Sequence, residues 1–537
     1  MNDVINRCFM RLSDRAERIT ARQVAQTFVA VGPVIDLLES PNNQIVYGRR
    51  GTGKTHALRY FQGIKNAAGD LAVYIDAQNI GSNGSIYNDA SLPIGERATR
   101  LLTDVCSVIH QQLLEIFTDP VGEWDVSTAV PVLDGFADGF SEVRVEGAVQ
   151  TEQSSRNSSS GVSRSGFSGA LSANPFLRIH FEGADTHAEE SGSVVKRSGS
   201  EETWIDFNYF SKTIRELADF VSPRRLWLLI DEWTTIPPEI QPYLADLLRR
   251  SMFTIQNITV KIAAIEHRTN FKLDRKDEGY IGFEIGADVS AAINLDDYIV
   301  IDNDESRAKA FFESFISSHS KSVAEEIGVD IGEQSTIVGR AFTQDNVFTE
   351  FVRSTEGVPR DAMHILSAAA QKANNSAISM PIIRSAAHKF FQSEKYLSIQ
   401  SNRENRILLD WIRDEVIGNR RTRAFLLPVS TEDVIIDRLF DRRALHILNR
   451  SRSAAHRPGE RFIVYKIDYG LYVDLVNTDK FPSGLLVAEG LGDIDFDVPA
   501  DDARSYRRAI LDLEKFYAAH PELAGAGEYM RRRRKDI

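Results

Sequence analysis

The most specific chemical pattern in the chain is the stretch Gly48-Arg49-Arg50-Gly51-Thr52-Gly53-Lys54-Thr55. It fits G-x-x-x-x-G-K-[ST], the P-loop, in which glycines let the backbone wrap around phosphate groups. An apolar run, Ile45-Val46-Tyr47, precedes it and a helix-like run follows, so backbone amides and a positive helix end would face the phosphates. Lys54 would reach the β- and γ-phosphates, and Thr55 would hold Mg²⁺. The residues assigned to the nucleotide are Gly48, Gly51, Thr52, Gly53, Lys54, Thr55 and His56.

A second candidate site is the apolar run Leu226-Trp227-Leu228-Leu229-Ile230, which ends in Asp231 and Glu232. Such a run suits a strand buried on both faces of a parallel sheet. Asp231 would complete the Mg²⁺ coordination, and Glu232 would polarise the attacking water as a general base. Apolar strands that lead into an acidic loop are common by themselves. Together with the P-loop, however, this strand predicts hydrolysis of ATP.

Length and composition define the class of protein that could carry these sites. A chain of 537 residues is too long for one core and predicts three or four domains. Its two cysteines, Cys8 and Cys106, argue against disulfides and a cysteine metal site. We expect no membrane span and no signal peptide, hence a cytoplasmic location. The net charge of −13 argues against a surface coated throughout by nucleic acid, although a local basic surface is compatible with it.

The elements that must position the two sites form an alternating pattern. Short apolar runs predict strands at residues 45–47, 71–76, 226–231 and 260–265, with a fifth within 291–301, and helices lie between them. Residues 1–303 therefore predict a parallel α/β sheet with crossover helices. Residues 138–203 interrupt it as a Ser- and Gly-rich insertion that resembles a hairpin, with strands at 142–146 and 176–181. A surface loop and a partner-docking segment are both compatible with that insertion.

Residues 304–396 predict a helical segment, and within it lies Gly357-Val358-Pro359-Arg360. Here the chain resembles AAA+ ATPases of the origin-recognition-complex type and the related STAND signalling NTPases, whose helical lid begins a helix with Gly-x-Pro-Arg. The resemblance implies a P-loop NTPase (AAA+/ASCE) parallel sheet, followed by an α-helical lid and a winged-helix domain. It also implies that Arg360 is the lid arginine, sensor 2, which contacts the γ-phosphate.

Two further roles follow from the resemblance. In such proteins the helix before the fourth strand carries an arginine finger that enters a neighbour's site, and Arg249 or Arg250 occupies that place. Adjacent basic residues at a helix end are also ordinary dipole compensation. The finger implies a homo-oligomer. Sensor 1 stays unassigned, because the fourth strand is followed by Glu266, His267 and Arg268 where Asn, Thr or Ser is usual. Any of these three could face the γ-phosphate, and absence of a conventional sensor is the alternative.

The last segment, residues 397–537, permits the winged helix that this clade usually adds. We expect helices at 403–417, 434–439 and 442–448, the last as recognition helix, a strand at 423–427, and a wing hairpin within 462–474 that turns at Tyr469-Gly470. Residues 420–461 contain ten arginines against five acidic residues. The arginines that could contact DNA phosphates are Arg442, Arg443, Arg450, Arg452 and Arg457. A protein-docking surface is the alternative, and the basic tail at 531–535 could add non-specific affinity.

These features predict an ATP-binding and ATP-hydrolysing AAA+ switch. One hypothesis is that the switch assembles or loads on double-stranded DNA through the winged helix. The alternative is a STAND-like ATPase of a bacterial anti-phage defence system that signals to a partner effector protein. A nucleotide-binding scaffold without turnover is a third possibility, against which Glu232 argues.

Overall fold

The computed structural model contains a five-stranded parallel sheet, a large helical part and a smaller antiparallel sheet. The described residues are 2–12, 20–80, 89, 91–120, 122–140, 143–146, 149–152, 194–197, 200–203, 206–275, 279–302, 304–418, 422–431, 433–454, 457–477 and 509–523. Within these ranges, no helix combines the length and the apolar character that crossing a membrane requires.

The helices and strands are numbered here in chain order. The helices are α1 Asn2–Phe9, α2 Ala21–Thr27, α3 Val34–Leu38, α4 Lys54–Ala67, α5 Ile94–Phe117, α6 Val126–Phe140, α7 Phe207–Val221, α8 Gln241–Ser251, α9 Asp296–Ile299, α10 Glu305–Ile327, α11 Gln334–Ala341, α12 Asp345–Ser354, α13 Pro359–Ala373, α14 Met380–Phe390, α15 Leu397–Gln400, α16 Arg403–Trp411, α17 Val434–Asp441, α18 Tyr469–Asn477 and α19 Leu513–Ala519. The strands are β1 Gln44–Tyr47, β2 Leu71–Asp76, β3 Val143–Glu146, β4 Val149–Glu152, β5 Val194–Arg197, β6 Ser200–Thr203, β7 Leu226–Asp231, β8 Ile258–Ala264, β9 Lys272–Arg275, β10 Gly279–Gly282, β11 Ser290–Asn294, β12 Ala424–Pro428, β13 Leu445–Ala454 and β14 Arg457–Ile467.

The chain divides into two compact units. The first, called the sheet unit, consists of Ser40–Val46 and Phe61–Ala292. The second, called the lid unit, consists of Met1–Glu39, Tyr47–Tyr60 and Ile293–Ile537. The P-loop belongs to the lid unit, and the acidic strand β7 belongs to the sheet unit. Three sequence domains with boundaries at 303 and 396 stay a prediction.

The sheet unit is built on the order β11-β1-β8-β7-β2. Strands β2, β7 and β8 run parallel, with Ile75 opposite Ile230 and Ile230 opposite Ile262. All residues of β7 and β8 are buried, as expected for strands covered on both faces. The predicted strands and the predicted α/β fold class are confirmed, and helix α5 packs against β2, α6 and α8.

Four short strands come from the predicted insertion. Strand β3 pairs antiparallel with β6, and β4 pairs antiparallel with β5. The strand expected at 142–146 is therefore present as β3. The strand expected at 176–181 and the Ser-rich pieces of the insertion lie outside the described residues.

The helical segment predicted for 304–396 is present in the lid unit as α10 to α14. Its core contains Phe312 of α10, Phe351 of α12 and Ile365 of α13, all at most 2% exposed. Helix α1 packs against α13, and the Asn6 side chain donates to the carbonyl oxygens of Asn374 and Ser376 after that helix. The chain's first residues thus complete the core of the helical segment.

The recognition helix predicted at residues 442–448 is wrong. Helix α17 ends at Asp441, and Arg443 adopts a left-handed backbone with φ of 58°. The N–H of Arg443 donates to Phe440 O and that of Ala444 to Leu439 O, the two bonds of a Schellman helix end. Strand β13 follows from Leu445 on. The sequence concealed this helix end because arginine stands where glycine is usual.

The predicted wing hairpin is also wrong in position. Strand β14 runs without interruption from Arg457 to Ile467 and pairs on one side with β12 and on the other with β13. The hairpin is therefore β13–β14, and the expected turn at Tyr469-Gly470 is the first turn of α18. Asp468 begins that helix, because its carboxylate accepts a hydrogen bond from the N–H of Gly470 at 2.9 Å.

Candidate nucleotide-binding site

The P-loop connects β1 to α4 in the order that the sequence predicts. Gly51 and Gly53 have φ angles of 85° and 96°, a conformation that side chains disfavour. A Cβ atom added at Gly51 would lie 2.8 Å from Cβ of Arg360, whereas one added at Gly53 would meet nothing within 4 Å. The loop therefore has one glycine packed against the lid and one with open space beside it. This cradle fits a phosphate group.

Lys54 is buried and donates back into its own loop. Its Nζ atom lies 2.8 Å from Gly48 O and 3.0 Å from Arg49 O. The Thr52 hydroxyl donates to the same Arg49 carbonyl at 2.8 Å. Two carbonyl oxygens thus satisfy an ammonium that, in a P-loop, reaches phosphate oxygens.

Arg360 lies against the P-loop, where the resemblance implied it should be. Helix α13 begins at Pro359, a favourable first position because proline has no N–H to leave unpaired. The N–H of Arg360, one position later, donates to Gly51 O at 3.2 Å. The start of the lid helix and the P-loop are thereby in direct contact. The sensor 2 role of the guanidinium stays a prediction.

A mostly apolar pocket lies beside the N-terminal end of α4. Its lining includes Thr52 and Gly53 of the P-loop, His56, Phe28, Val31 and Phe315. The ring of Phe28 stacks on Tyr60 with centroids 3.9 Å apart. The apolar, aromatic-rich lining suits the face of a heteroaromatic base. Apart from Thr52, Gly53 and His56, the sequence did not indicate these lining residues, because they come from separate segments and carry no motif.

His56 is held in one orientation within this pocket. Its Nε2 lies 3.2 Å from the carbonyl oxygen of Val24 and 3.4 Å from the hydroxyl of Thr27. Burial lowers the pKa of His56, although the hydrogen bond with Val24 acts in the opposite direction. The imidazole is therefore neutral at pH 7, and Nε2–H donates to the Val24 carbonyl.

The two acids of β7 differ in their surroundings. Asp231 is fully buried, and its carboxylate accepts from the Tyr74 hydroxyl at 2.7 Å and from the N–H of Glu232 at 2.8 Å. Glu232 has a left-handed backbone, with φ of 51° and ψ of 35°. Such strain in a residue other than glycine costs about 1–3 kcal/mol and concentrates at functional sites. This geometry supports the catalytic interpretation of Glu232.

The two finger candidates are anchored on the same carboxylate. Arg249 lies 2.8 Å and Arg250 2.7 Å from Asp246, one turn earlier in α8. Arg249 also lies over the Tyr280 ring, 5.3 Å from its centroid. The Arg249 side chain is 28% exposed and that of Arg250 is 61% exposed. Arg250 is thus the better placed of the two to reach a neighbouring molecule.

The residues after β8 leave sensor 1 unassigned, as in the sequence. Residues Glu266–Arg268 form a single 3₁₀ turn directly after the strand. The carbonyl of Arg268 accepts from the Gln241 amide at 3.3 Å. Nothing in this turn singles out one side chain as the sensor.

The arginines expected to contact DNA do not lie on one helix. Arg443 forms an ion pair with the buried carboxylate of Asp361. Arg450 and Arg452 are exposed on β13, and Arg442 is half-buried in the turn before it. The side chain of Arg457 and the basic tail lie outside the described residues. Arg450 and Arg452 are therefore the candidates on which a DNA-binding surface can be argued.

Comparison with known proteins supports the resemblance seen in the sequence. The family model described as ORC-CDC6-like matches residues 12–65, the segment that contains the P-loop. No curated protein matches the sequence. Among solved structures, the chain is similar to the ORC1 protein of Aeropyrum pernix in complex with DNA, at 12% identity. That similarity covers 84% of this chain and 90% of the other, with a TM-score of 0.29. Over residues 12–65, the chain thus resembles ORC-CDC6-like proteins.

Proposed function

We propose that this ORC/Cdc6-like chain binds ATP at its P-loop, hydrolyses it, and uses the nucleotide to control contacts with DNA. The proposal rests on the hydrogen bond that the N–H of Arg360 donates to the P-loop carbonyl of Gly51. A lid arginine beside the phosphate cradle can report whether the third phosphate is present. The apolar pocket around His56 supplies the surface for the base.

The chain's own residues have distinct roles in this proposal. Lys54 exchanges its two loop carbonyls for phosphate oxygens, and the P-loop amides bind the remaining oxygens. Glu232 accepts the proton of the attacking water, and Arg360 compensates the charge that develops on the γ-phosphate. Mg²⁺ supplies further charge compensation when bound, and the motif chemistry assigns it to Thr55 and Asp231. Arg250 of a neighbouring copy would complete the site, which makes the active form an oligomer.

The DNA-binding part rests on the charge of the C-terminal sheet. The surplus of arginine in residues 420–461 contrasts with the net charge of −13 for the whole chain. Arg450 and Arg452 expose their side chains on β13. Exposed arginines on a β-hairpin suit contacts with phosphates, because such contacts need charge and reach but no base recognition.

Steady-state ATP hydrolysis, with and without duplex DNA, tests the proposal. Hydrolysis that DNA stimulates, and that both Lys54→Ala and Glu232→Gln abolish, supports it. An Arg450→Ala/Arg452→Ala double variant should keep basal hydrolysis and lose the stimulation by DNA. Hydrolysis indifferent to DNA would overturn the DNA-binding part and favour a partner-gated signalling ATPase. Absence of ATP binding by the wild-type chain would overturn the proposal as a whole.

A further inference from the structure

Arg49 occupies an unspecified position of the P-loop motif, yet its side chain is among the most tightly held in the lid unit. The guanidinium donates from Nε to Asp296 Oδ1 at 2.9 Å and from a terminal nitrogen to Glu356 O at 2.9 Å. The other terminal nitrogen contacts Nδ1 of His446. With 4% of its surface exposed, Arg49 is turned into the protein. It therefore connects the P-loop to Glu356, just before α13, and to strand β13.

The contact between Arg49 and His446 fixes the state of the imidazole. A guanidinium only donates, so Nδ1 of His446 must accept. The ring is then neutral and carries its proton on Nε2, which lies 3.0 Å from Asp468 Oδ2. Burial accordingly holds the pKa of His446 well below its ordinary value. Asp468 thus orients the imidazole, and the imidazole offers Arg49 an acceptor.

A second connection leads from Asp468 to the start of the lid helix. Lys395 lies 2.6 Å from Asp468 Oδ2 and 2.7 Å from Asp361 Oδ2, and all three side chains are at most 4% exposed. Asp361 follows Arg360 directly and also pairs with Arg443. The C-terminal sheet therefore reaches both sides of the candidate site, namely the P-loop through Arg49 and the sensor 2 helix through Asp361.

Backbone strain coincides with these contacts. Glu356 and Arg443 both have left-handed backbones, with φ of 53° and 58°. The Glu356 carboxylate is fully buried and pairs with Arg423 at 2.5 Å and with Lys466 at 2.7 Å. Strained residues persist where surrounding contacts hold them, and they cluster at switch regions. Glu356 stands directly before Gly357, the first residue of the Gly-x-Pro-Arg motif that leads into α13.

We propose that His446 is a positioning residue for the nucleotide site, which holds the P-loop through Arg49 and so links ATP binding to the β13–β14 hairpin. The inference rests on the proposed function. Lys54 and the Thr52 hydroxyl both donate to the Arg49 carbonyl, so transfer of Lys54 to a phosphate removes one of these two donors while the Arg49 side chain remains bound to His446. Movement of the Arg49 backbone then reaches β13 through the Arg49 side chain. Linkage is reciprocal, so a ligand on the hairpin alters the affinity for ATP by the same factor.

Two substitutions at His446 separate its two contacts. In His446→Asn, the amide oxygen occupies the place of Nδ1 and keeps an acceptor for Arg49. In His446→Gln, the amide nitrogen occupies the place of Nε2 and keeps a donor for Asp468, but Arg49 loses its acceptor. Titration with a fluorescent ATP analogue should show affinity at least tenfold weaker for the Gln variant and within about threefold of wild type for the Asn variant. Arg438→Ala, which removes a surface ion pair with Glu404, is the matched control.

A second measurement keeps the inference independent of ATP binding. Hydrogen exchange of the P-loop amides should become faster in His446→Gln and stay near wild type in His446→Asn. Binding of the analogue should alter the hydrogen-exchange rates of the amides in residues 445–467 in the wild type but not in the Gln variant. Equal affinity for the ATP analogue and equal hydrogen-exchange rates in the two variants would overturn the inference, even when the wild type binds ATP normally. Should the Gln variant not fold, Arg49→Lys tests the same contact. Lysine keeps the positive charge but cannot contact Asp296, Glu356 and His446 at the same time.

Discussion

The N–H of Arg360 donates to the carbonyl oxygen of Gly51 across 3.2 Å, and this bond joins the lid helix to the P-loop. The first amides of any helix have no partner within the helix. Here one of them uses a P-loop carbonyl. The helix start and the phosphate cradle are thus built as one local structure, in which movement of either alters the other.

Gly51→Ala should disrupt this local structure. The new Cβ would lie 2.8 Å from Cβ of Arg360, and φ of 85° disfavours alanine in addition. We expect the free energy of unfolding to fall by about 1–3 kcal/mol and ATP binding to be lost. Gly63→Ala in α4 is the control, because its Cβ meets nothing within 4 Å and alanine should stabilise the helix by about 0.5–1 kcal/mol. Urea unfolding measures the stability of each variant, and titration with the fluorescent analogue measures its ATP binding. Equal binding by the two variants would contradict the prediction.

Substitutions of Glu232 should separate catalysis from strain. Glu232→Gln removes the base, so hydrolysis should stop while ATP binding persists. Glu232→Gly removes the base as well, but it also relieves the left-handed backbone strain, worth about 1 kcal/mol of added stability. Phosphate release and thermal unfolding of both variants provide the measurement. A Gly variant less stable than the Gln variant would show that the side chain contributes more to folding than the strain costs.

Stability should decline in acid because of His319. Burial in α10, beside the Phe315 ring, and repulsion from the nearby His56 together lower the pKa of His319 to about 3. The folded pKa lies below the ordinary value of 6.5, so the unfolded state binds the proton first as pH falls. Stability from this residue is complete above about pH 6.5 and declines by about 1.4 kcal/mol per pH unit towards pH 3. Comparison of urea unfolding at pH 7 and pH 5 should show a smaller loss for His319→Met, and equal losses would refute the assignment.

Arg250 should act in trans, if the active form is an oligomer. Arg250→Ala should reduce ATP hydrolysis by about a hundredfold while ATP binding persists, as removal of a charge that stabilises the transition state does. Arg249→Ala should have a smaller effect, because the Arg249 side chain lies over the Tyr280 ring of its own subunit and is less exposed than that of Arg250. Mixing Arg250→Ala with Glu232→Gln should restore part of the activity, since each supplies what the other lacks. Mixtures without activity would exclude a shared site.

The sequence predicted those parts of the fold that local patterns determine. The P-loop follows from a motif with a steric reason for each glycine, and β7 and β8 follow from apolar runs that are buried on both faces. The position of Arg360 was implied by the family resemblance. The helical segment after residue 303 also follows from local sequence. These features need information from only a few neighbouring residues.

Other parts depended on contacts between residues far apart in the chain. Arg49 occupies a position at which the P-loop motif specifies no residue type. The partners of its guanidinium lie 247, 307 and 397 residues away in the chain. The recognition helix was predicted wrongly because Arg443 is held left-handed by contacts that include Asp361. The pocket around His56 draws on segments before and after the P-loop that share no pattern.

The division of the chain has a consequence for how the protein is made. The sheet unit is complete once Ala292 has been synthesised, whereas the lid unit needs segments up to the C-terminal region. Domains generally fold as units during synthesis. The P-loop therefore emerges from the ribosome early but receives the last of its three Arg49 partners, His446, only after most of the chain has been made. A product that ends before residue 446 carries the complete nucleotide motif but lacks the His446 contact that holds Arg49.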